Sequence, residues 1–268
     1  MTKRSSVAVQ MKIRTAVLTV TVMCAFPAGA SAIVAGQPDG NTHPNVGVVA
    51  LDGDLACSGT LVAPQLVLTA GHCVAGVNQA QVSFDEIAPP PPGEPGSDGR
   101  YIAGTPYAHP AFGIRNGHGY NDIGVIVLDA PASTVWPGIR PAPLPAANAL
   151  AARWSDGSLR RATITLVGYG VYEIHGSKTI VFEPIARRRT DSTVASLAPE
   201  LIKLHTPSRD HRGGGSACFG DSGGPALLGT TVIGLTNGGS AQCTGYNNYQ
   251  RTDSPGARGF LDDFMVLP

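Results

Sequence analysis

Glycine and proline interrupt this 268-residue chain so often that its regular elements must be short. Its 34 glycines and 22 prolines separate apolar, β-branched runs at Val46–Leu51, Gly59–Leu68, Ile123–Leu128, Ala162–Tyr169 and Thr230–Leu235. Short strands divided by turn residues are the pattern of a sandwich or barrel. Helical 3.6-residue periodicity is confined to Ala257–Val266, where one apolar face can be drawn. The expected class is therefore all-β with a short C-terminal helix. Ala88–Ser97 contains four consecutive prolines, which give a strand ladder no amide donors and predict an exposed polyproline-type loop. Such a loop also offers a segment for a proline-binding partner. Arg187-Arg188-Arg189 reads as a solvated surface turn that would be open to proteolytic nicking.

Residues 1–32 read as an export signal. Lys3, Arg4, Lys12 and Arg14 form a positive start, Ala16–Phe26 is an apolar run short for a bilayer, and Ala30-Ser31-Ala32 is an A-x-A cleavage pattern. The alternative on these flanks is an uncleaved membrane anchor. Cleavage removes four cations and no acids, leaving 15 Lys and Arg against 19 Asp and Glu, a net charge of −4. That balance is too mild to imply nucleic acid or a membrane as partner once the signal is gone.

Cys24 leaves with the signal, and Cys57, Cys73, Cys218 and Cys243 remain. An even set in an exported chain predicts two disulfides, for which spacing alone allows three pairings. No C-x-x-C pair supports a zinc site and no carboxylate cluster stands at calcium-loop spacing, so no metal or cofactor is expected.

Three strings carry chemistry. Thr69-Ala70-Gly71-His72-Cys73 supplies a histidine, Asn121-Asp122 opens the apolar run Ile123–Leu128, and Cys218-Phe219-Gly220-Asp221-Ser222-Gly223-Gly224-Pro225 supplies a serine between an aspartate and two glycines. A serine hydroxyl needs a base within hydrogen-bond reach, and the base needs a group that fixes its tautomer. His72, Asp122 and Ser222 lie 50 and 100 residues apart, which demands a fold that gathers distant loops. Their order, the flanking cysteines and the start Ile33-Val34-Ala35-Gly36 resemble the trypsin/chymotrypsin-type secreted serine protease family. An esterase of the G-x-S-x-G type would place its triad in the order Ser, Asp, His. A binding-only member of the fold would ordinarily lack a triad residue or the Ile-Val start.

The resemblance implies two six-stranded antiparallel Greek-key barrels with the active site in the cleft between them. They would occupy residues 33–145, carrying His72 and Asp122, and residues 146–268, carrying the nucleophile, the pocket and the terminal helix. The Ala-rich stretch after Pro145 would belong to the crossover. The resemblance further implies His72 as base, Asp122 as its orienting acid, Ser222 as nucleophile, and the Gly220 and Ser222 amides as oxyanion donors. It pairs the Ile33 ammonium with Asp221 once the chain starts at Ile33, and it selects disulfides Cys57–Cys73 and Cys218–Cys243. Ser216 would be the pocket floor, Asn237, Gly238 and Gly239 one wall, and Asn247 a polar third wall that narrows the pocket. A neutral floor implies an apolar or medium-sized side chain rather than a trypsin-like cation, which would lack a partner when buried. Gly238 and Gly239 leave one wall open, which implies a chymotrypsin-like preference for large apolar groups over an elastase-like one for small groups. Where the family commonly reads Ser-Trp-Gly, this chain reads Thr236-Asn237-Gly238-Gly239, so Asn237, or Thr236 if the register shifts by one, is expected to hydrogen-bond Asp122. Polypeptides are the expected substrates, protein protease inhibitors the candidate partners, and a secreted monomer the expected form. His43, His109, His118, His175, His205 and His211 read as surface residues.

Overall fold

The computed structural model describes residues 33, 36–115, 118–170, 172–175, 178–181, 184–205, 216–239, 243 and 246–268. The export-signal reading of residues 1–32 lies outside the described residues, as does His211. The strands are β1 (Gln37–Pro38), β2 (Val46–Leu51), β3 (Asp54–Ala63), β4 (Leu66–Thr69), β5 (Ala80–Ser83), β6 (Ile102–Ala108), β7 (Gly113–Arg115), β8 (His118–Tyr120) and β9 (Gly124–Leu128). They continue as β10 (Ile164–Gly168), β11 (Tyr172–His175), β12 (Lys178–Val181), β13 (Arg188–Ser192), β14 (Val194–Leu197), β15 (Leu201–His205), β16 (Pro225–Leu228), β17 (Thr231–Gly238) and β18 (Tyr246–Arg251). Strands β2-β3-β4-β9-β6-β5 close a barrel. A second, curled sheet runs β1-β13-β10-β16-β17-β18-β15-β14, and the pairs β7-β8 and β11-β12 stand apart as hairpins. The all-β expectation with two barrel-like halves and a short C-terminal helix, Pro255–Leu261, is met.

The apolar runs are continuous, rather than alternating with polar residues, because several strands are buried on both faces. Side chains alternate across a strand. In β4, Leu66 and Leu68 face a cluster between the two sheets while Val67 faces the interior of the closed barrel. In β9, Val125 and Ile126 divide the same way. In β17, Val232 and Leu235 join the central cluster while Ile233 enters the interior of the second sheet. The C-terminal helix places Phe260 and Leu261 in that central cluster. Each such side chain contributes roughly 1.5–3 kcal/mol on burial, so the seam between the halves is itself a core.

Three local readings change. Residues 149–161 form two short helices, Ala149–Ser155 and Ser158–Arg161, separated by Gly157 at φ 75°. Leu150 and Leu159 anchor them in the second sheet's interior, and the Asp253 carboxylate accepts the Leu150 amide at 2.8 Å. The proline segment is a loop, as expected, but Pro89 is buried and its carbonyl accepts the Tyr101 hydroxyl at 3.0 Å. His43 is pinned rather than solvated, since its ring and backbone N–H both meet the Asp39 carboxylate.

The arginine triplet is the largest correction, because Arg187 is 1% exposed. Its guanidinium donates to Asp39 at 3.0 Å, to the carbonyls of Val46, Phe84 and Gly40 at 3.0, 3.2 and 3.0 Å, and to the Tyr169 hydroxyl at 3.0 Å. Arg188 donates to the Gly36 carbonyl at 2.9 Å, and β1 pairs with Arg188 and Arg189. The triplet therefore fastens residues 36–40 onto the second sheet. A run of cations looks solvated only until each donor is matched to an acceptor.

Breaking a buried ion pair from one side leaves an unpaired charge and costs about 3–5 kcal/mol. Arg187→Met should lower the urea unfolding midpoint accordingly, and Arg187→Met with Asp39→Asn should recover part of the loss. Burial alone would raise the Asp39 carboxyl, but hydrogen bonds from His43 and Arg187 outweigh it and hold the group below its ordinary value. Its stabilisation is thus present above the unfolded value of about 3.9 and is lost as pH falls through the lowered folded value. Asp39→Asn should flatten that acid limb.

Candidate active site

His72 and Asp122 are brought together by the pairing of β4 with β9, in which Thr69 stands opposite Gly124. After Thr69 the chain makes one helical turn, Gly71–Val74, which carries His72. Gly71 permits the close approach, since a Cβ there would lie 3.1 Å from the backbone of Ile123. The Cys57–Cys73 disulfide ties this turn to β3. Asn121, at φ 47°, turns the chain out of β8 so that Asp122 points inward. Asp122 is fully buried, and its two oxygens meet the His72 backbone N–H at 2.7 Å and the ring Nδ1 at 2.8 Å. Nδ1 is thereby committed to the carboxylate. The Asp122 N–H donates to Gln250 Oε1 at 3.1 Å.

The expected bond to Asp122 from Asn237 or Thr236 is not made. The Thr236 hydroxyl donates to the Gly224 carbonyl at 3.1 Å, and the Asn237 amide donates to the Gly119 carbonyl at 3.0 Å. Both side chains are spent on backbone carbonyls, and among the described residues His72 supplies the two bonds that Asp122 accepts.

The loop around Ser222 is held from several sides. The Cys218–Cys243 disulfide closes it, and Gly220 and Gly223 take φ values of 91° and 76°, which glycine alone adopts at no steric cost. A Cβ at Gly223 would lie 2.1 Å from Thr69 Oγ1 and 2.6 Å from two backbone atoms, so the loop sits directly against the closed barrel. Ser58 joins the two halves: its N–H donates to the Ser222 carbonyl at 2.8 Å and its hydroxyl to the Gly220 carbonyl at 2.9 Å. Its hydroxyl also accepts the Tyr169 N–H at 2.9 Å. Sequence reasoning does not single out Ser58, although it follows Cys57 directly. The amides of Asp221, Gly223 and Gly224 donate within the protein, whereas those of Gly220 and Ser222 have no acceptor among the described residues.

Asp221 is buried beside this loop and accepts the amides of Gly170 and Cys218, both at 2.8 Å. It pairs with no cation among the described residues. Burial pushes its carboxyl up to about 7 against the pull of those two amides. Ile33 is fully buried in the same cluster as Ala217, which precedes Cys218.

A cleft of about 470 Å³ is lined by His72 and Ser222 together with Phe219, Asn237, Gly238 and Asn247, among others. A Cβ at Gly238 would meet no atom within 4 Å, so that wall is open, and Gly239 also lines the cleft. Ser216, expected as the floor, is 2% exposed and does not line the cleft. Asn247 lies across it, donating to Ser216 Oγ and to the Ala217 carbonyl, each at 2.8 Å. Cys57, Cys73 and His72 place three potential ligand atoms within 4.8 Å of one another, but both sulfurs are spent in the disulfide.

Residues 33–254 match the family model described as Trypsin. A trypsin from Saccharopolyspora erythraea is 25% identical over 214 residues, covering 77% of this chain and 86% of that protein. A chymotrypsin from Phaedon cochleariae is 29% identical over 195 residues, covering 70% of this chain and 64% of that protein. Among solved structures, HL collagenase overlays with a TM-score of 0.62 at 18% identity, covering 84% of this chain and 94% of that one. HBP overlays with a TM-score of 0.63 at 18% identity, covering 87% and 96%. At that identity the structural likeness concerns the fold alone.

An unpaired acid raised to about 7 binds its proton more tightly in the folded chain than unfolded. Its contribution to stability is therefore most favourable toward acid, declines as pH rises above the unfolded value of about 3.9, and carries its full penalty above the folded value. A chain with residues retained ahead of Ile33 should unfold at lower urea at pH 8 than at pH 6, and Asp221→Asn should remove most of that difference.

Proposed function

Since the chain belongs to the trypsin family and is a serine endopeptidase, we propose that it is exported and cuts peptide bonds through a Ser222 acyl-enzyme. The observation that carries the reading is the His72–Asp122 pair opening onto the cleft that Ser222 also lines. Ser222 Oγ attacks the scissile carbonyl carbon while His72 Nε2 takes the hydroxyl proton. Asp122 holds the ring through Nδ1 and stabilises the imidazolium. The carbonyl oxygen becomes an oxyanion facing the Gly220 and Ser222 amides, which is consistent with their having no other acceptor. Loss of one such donor costs about 3–4 kcal/mol of transition-state stabilisation. Collapse breaks the C–N bond, and His72 returns its proton to the leaving amine. Water, deprotonated by His72, then hydrolyses the ester, and the proton goes back to Ser222.

Activation follows from Asp221. In a chain that starts at Ile33, the α-ammonium pairs with the Asp221 carboxylate and offsets its burial. Export cleavage after Ala32 is then the activating cut. Among the described residues no helix is long and apolar enough to cross a membrane. Among the described residues the cleft offers no carboxylate to a cationic side chain, which supports a chymotrypsin-like preference over a trypsin-like one.

Intact mass after fluorophosphonate treatment should show one adduct on a chain beginning at Ile33 and none on Ser222→Ala. A chain retaining even one residue ahead of Ile33 should stay unlabelled and inactive; full activity there would sink the activation reading. The paired α-amino group is raised above its ordinary value of about 8, so activity should persist below that pH and fade as pH climbs through the raised value.

A further inference from the structure

We propose that Gln250 is a positioning residue for the triad. It registers the main chain of Asp122 on the sheet that carries Ser222, and Glu200 in turn holds Gln250. The proposal rests on the acyl-enzyme reading and adds to it the residue that aims its orienting acid.

Asp122 directs both carboxylate oxygens at His72, so its aim depends on the main chain beneath them. The peptide unit joining Asn121 to Asp122 is held at both ends. Its carbonyl accepts the Ile123 N–H at 2.9 Å, and its N–H donates to Gln250 Oε1 at 3.1 Å. Asn121 takes φ 47°, a left-handed conformation uncommon outside glycine, which persists where surrounding contacts over-determine it. Gln250 is fully buried, and a buried amide is ordinarily hydrogen-bonded at both ends. Its Nε2 donates to the Glu200 carbonyl at 3.1 Å and reaches the Arg251 carbonyl at 3.3 Å and Glu200 Oε2 at 3.4 Å. A donor at one end and acceptors at the other settle which end of the amide is oxygen. Glu200 is itself tied, since its carboxylate accepts the Ser254 hydroxyl and its carbonyl accepts the Arg251 N–H at 2.8 Å. A Cβ on Gly256 would lie 3.4 Å from Asn121 Oδ1 and 3.5 Å from Glu200 Oε2, so these groups converge at the start of the C-terminal helix.

The place of Gln250 in the sheet gives the contact its use. Strand β18 lies between β17 and β15, with Gln250 opposite Leu235 and Leu201. Strand β17 also holds the nucleophile loop, because the Thr236 carbonyl accepts the Gly223 N–H at 2.9 Å. Asp122 belongs to the other half, immediately ahead of β9. One buried amide thus references the orienting acid to the sheet that fixes Ser222. Gln250 does not line the cleft, so it acts through Asp122 and not on the substrate.

The test measures kcat and KM on one peptide substrate for the mature chain, for Gln250→Met, and for Gln250→Glu combined with Glu200→Gln. Each rate is divided by the sites that fluorophosphonate titrates to completion, and each variant is checked for folding by its urea midpoint. Methionine keeps the length of the side chain and removes the acceptor, so kcat should fall about 10- to 100-fold with KM changed by less than about threefold. The exchanged pair keeps an oxygen for the Asp122 N–H and an amide opposite it, and should recover most of that loss. The proton between His72 Nδ1 and Asp122 should give a far-downfield resonance in the mature chain, shifted or broadened in Gln250→Met and restored in the exchanged pair. A role in stability alone would lower the urea midpoint and leave both the resonance and kcat per titrated site unmoved. Gln250→Asn, which withdraws the oxygen by one methylene, serves should the methionine variant fail to fold, with the same outcome expected. A folded variant whose kcat stays within about threefold of the mature chain overturns the proposal, as does a loss of kcat with the resonance unchanged. A folded exchanged pair no faster than Gln250→Met also overturns it. An unlabelled mature chain means that the acyl-enzyme reading has failed and this proposal with it, whereas a labelled mature chain with unchanged variants overturns the positioning role alone.

Discussion

Ser58 is the contact on which the site depends. Every polar group it owns is used: its N–H meets the Ser222 carbonyl, its hydroxyl bridges the Tyr169 amide and the Gly220 carbonyl, and its carbonyl accepts the Thr69 hydroxyl. It is fully buried and sits beside the disulfide that ties the His72 turn. One residue of the closed barrel therefore orients the loop of the other half that carries Ser222 and Gly220. The close approach works only because Gly223 and Gly224 lack side chains; a Cβ on either would run into backbone. The bonds are individually modest, but they are made in a dry seam where an unmet partner is expensive.

Two buried acids divide the remaining electrostatics. Asp39 is satisfied outright by Arg187 and His43, and the pair fastens the segment after Ile33 to the second sheet. Asp221 is satisfied only by two amides, and burial pushes its carboxyl up. The first is a complete structural bond; the second has no cation beside it among the described residues. The fastening at residues 36–40 bears on both, because it limits where a chain end at Ile33 can reach.

The cleft shows how neighbouring positions share one task. The Asn237 amide donates to the Gly119 carbonyl and so joins this wall to the β7–β8 hairpin. Asn247 spends its amide on the Ser216 hydroxyl and the Ala217 carbonyl. Both asparagines act through backbone or side-chain acceptors beside them, and Gly238 keeps the wall between them open.

Much of this could be read from the chain alone. Glycine and proline spacing limits elements to short strands, β-branched runs mark them, and the three strings around His72, Asp122 and Ser222 carry the family likeness, because these depend on residue type and local chain stiffness. The disulfide partners followed from the resemblance rather than from spacing. What could not be read depended on distant partners. Arg187 looked solvated because its acceptors at Asp39, Val46 and Phe84 lie over a hundred residues away. Ser58 carried no signal, since a lone serine acquires its role only when two sheets meet around it. Ser216 and Asn247 are 31 residues apart, and only the fold sets the Asn247 amide on the Ser216 hydroxyl. Residue type and spacing determined the strands and the reactive groups; tertiary structure alone decided which polar atoms meet, because hydrogen bonds are settled over a few ångströms that sequence distance does not encode.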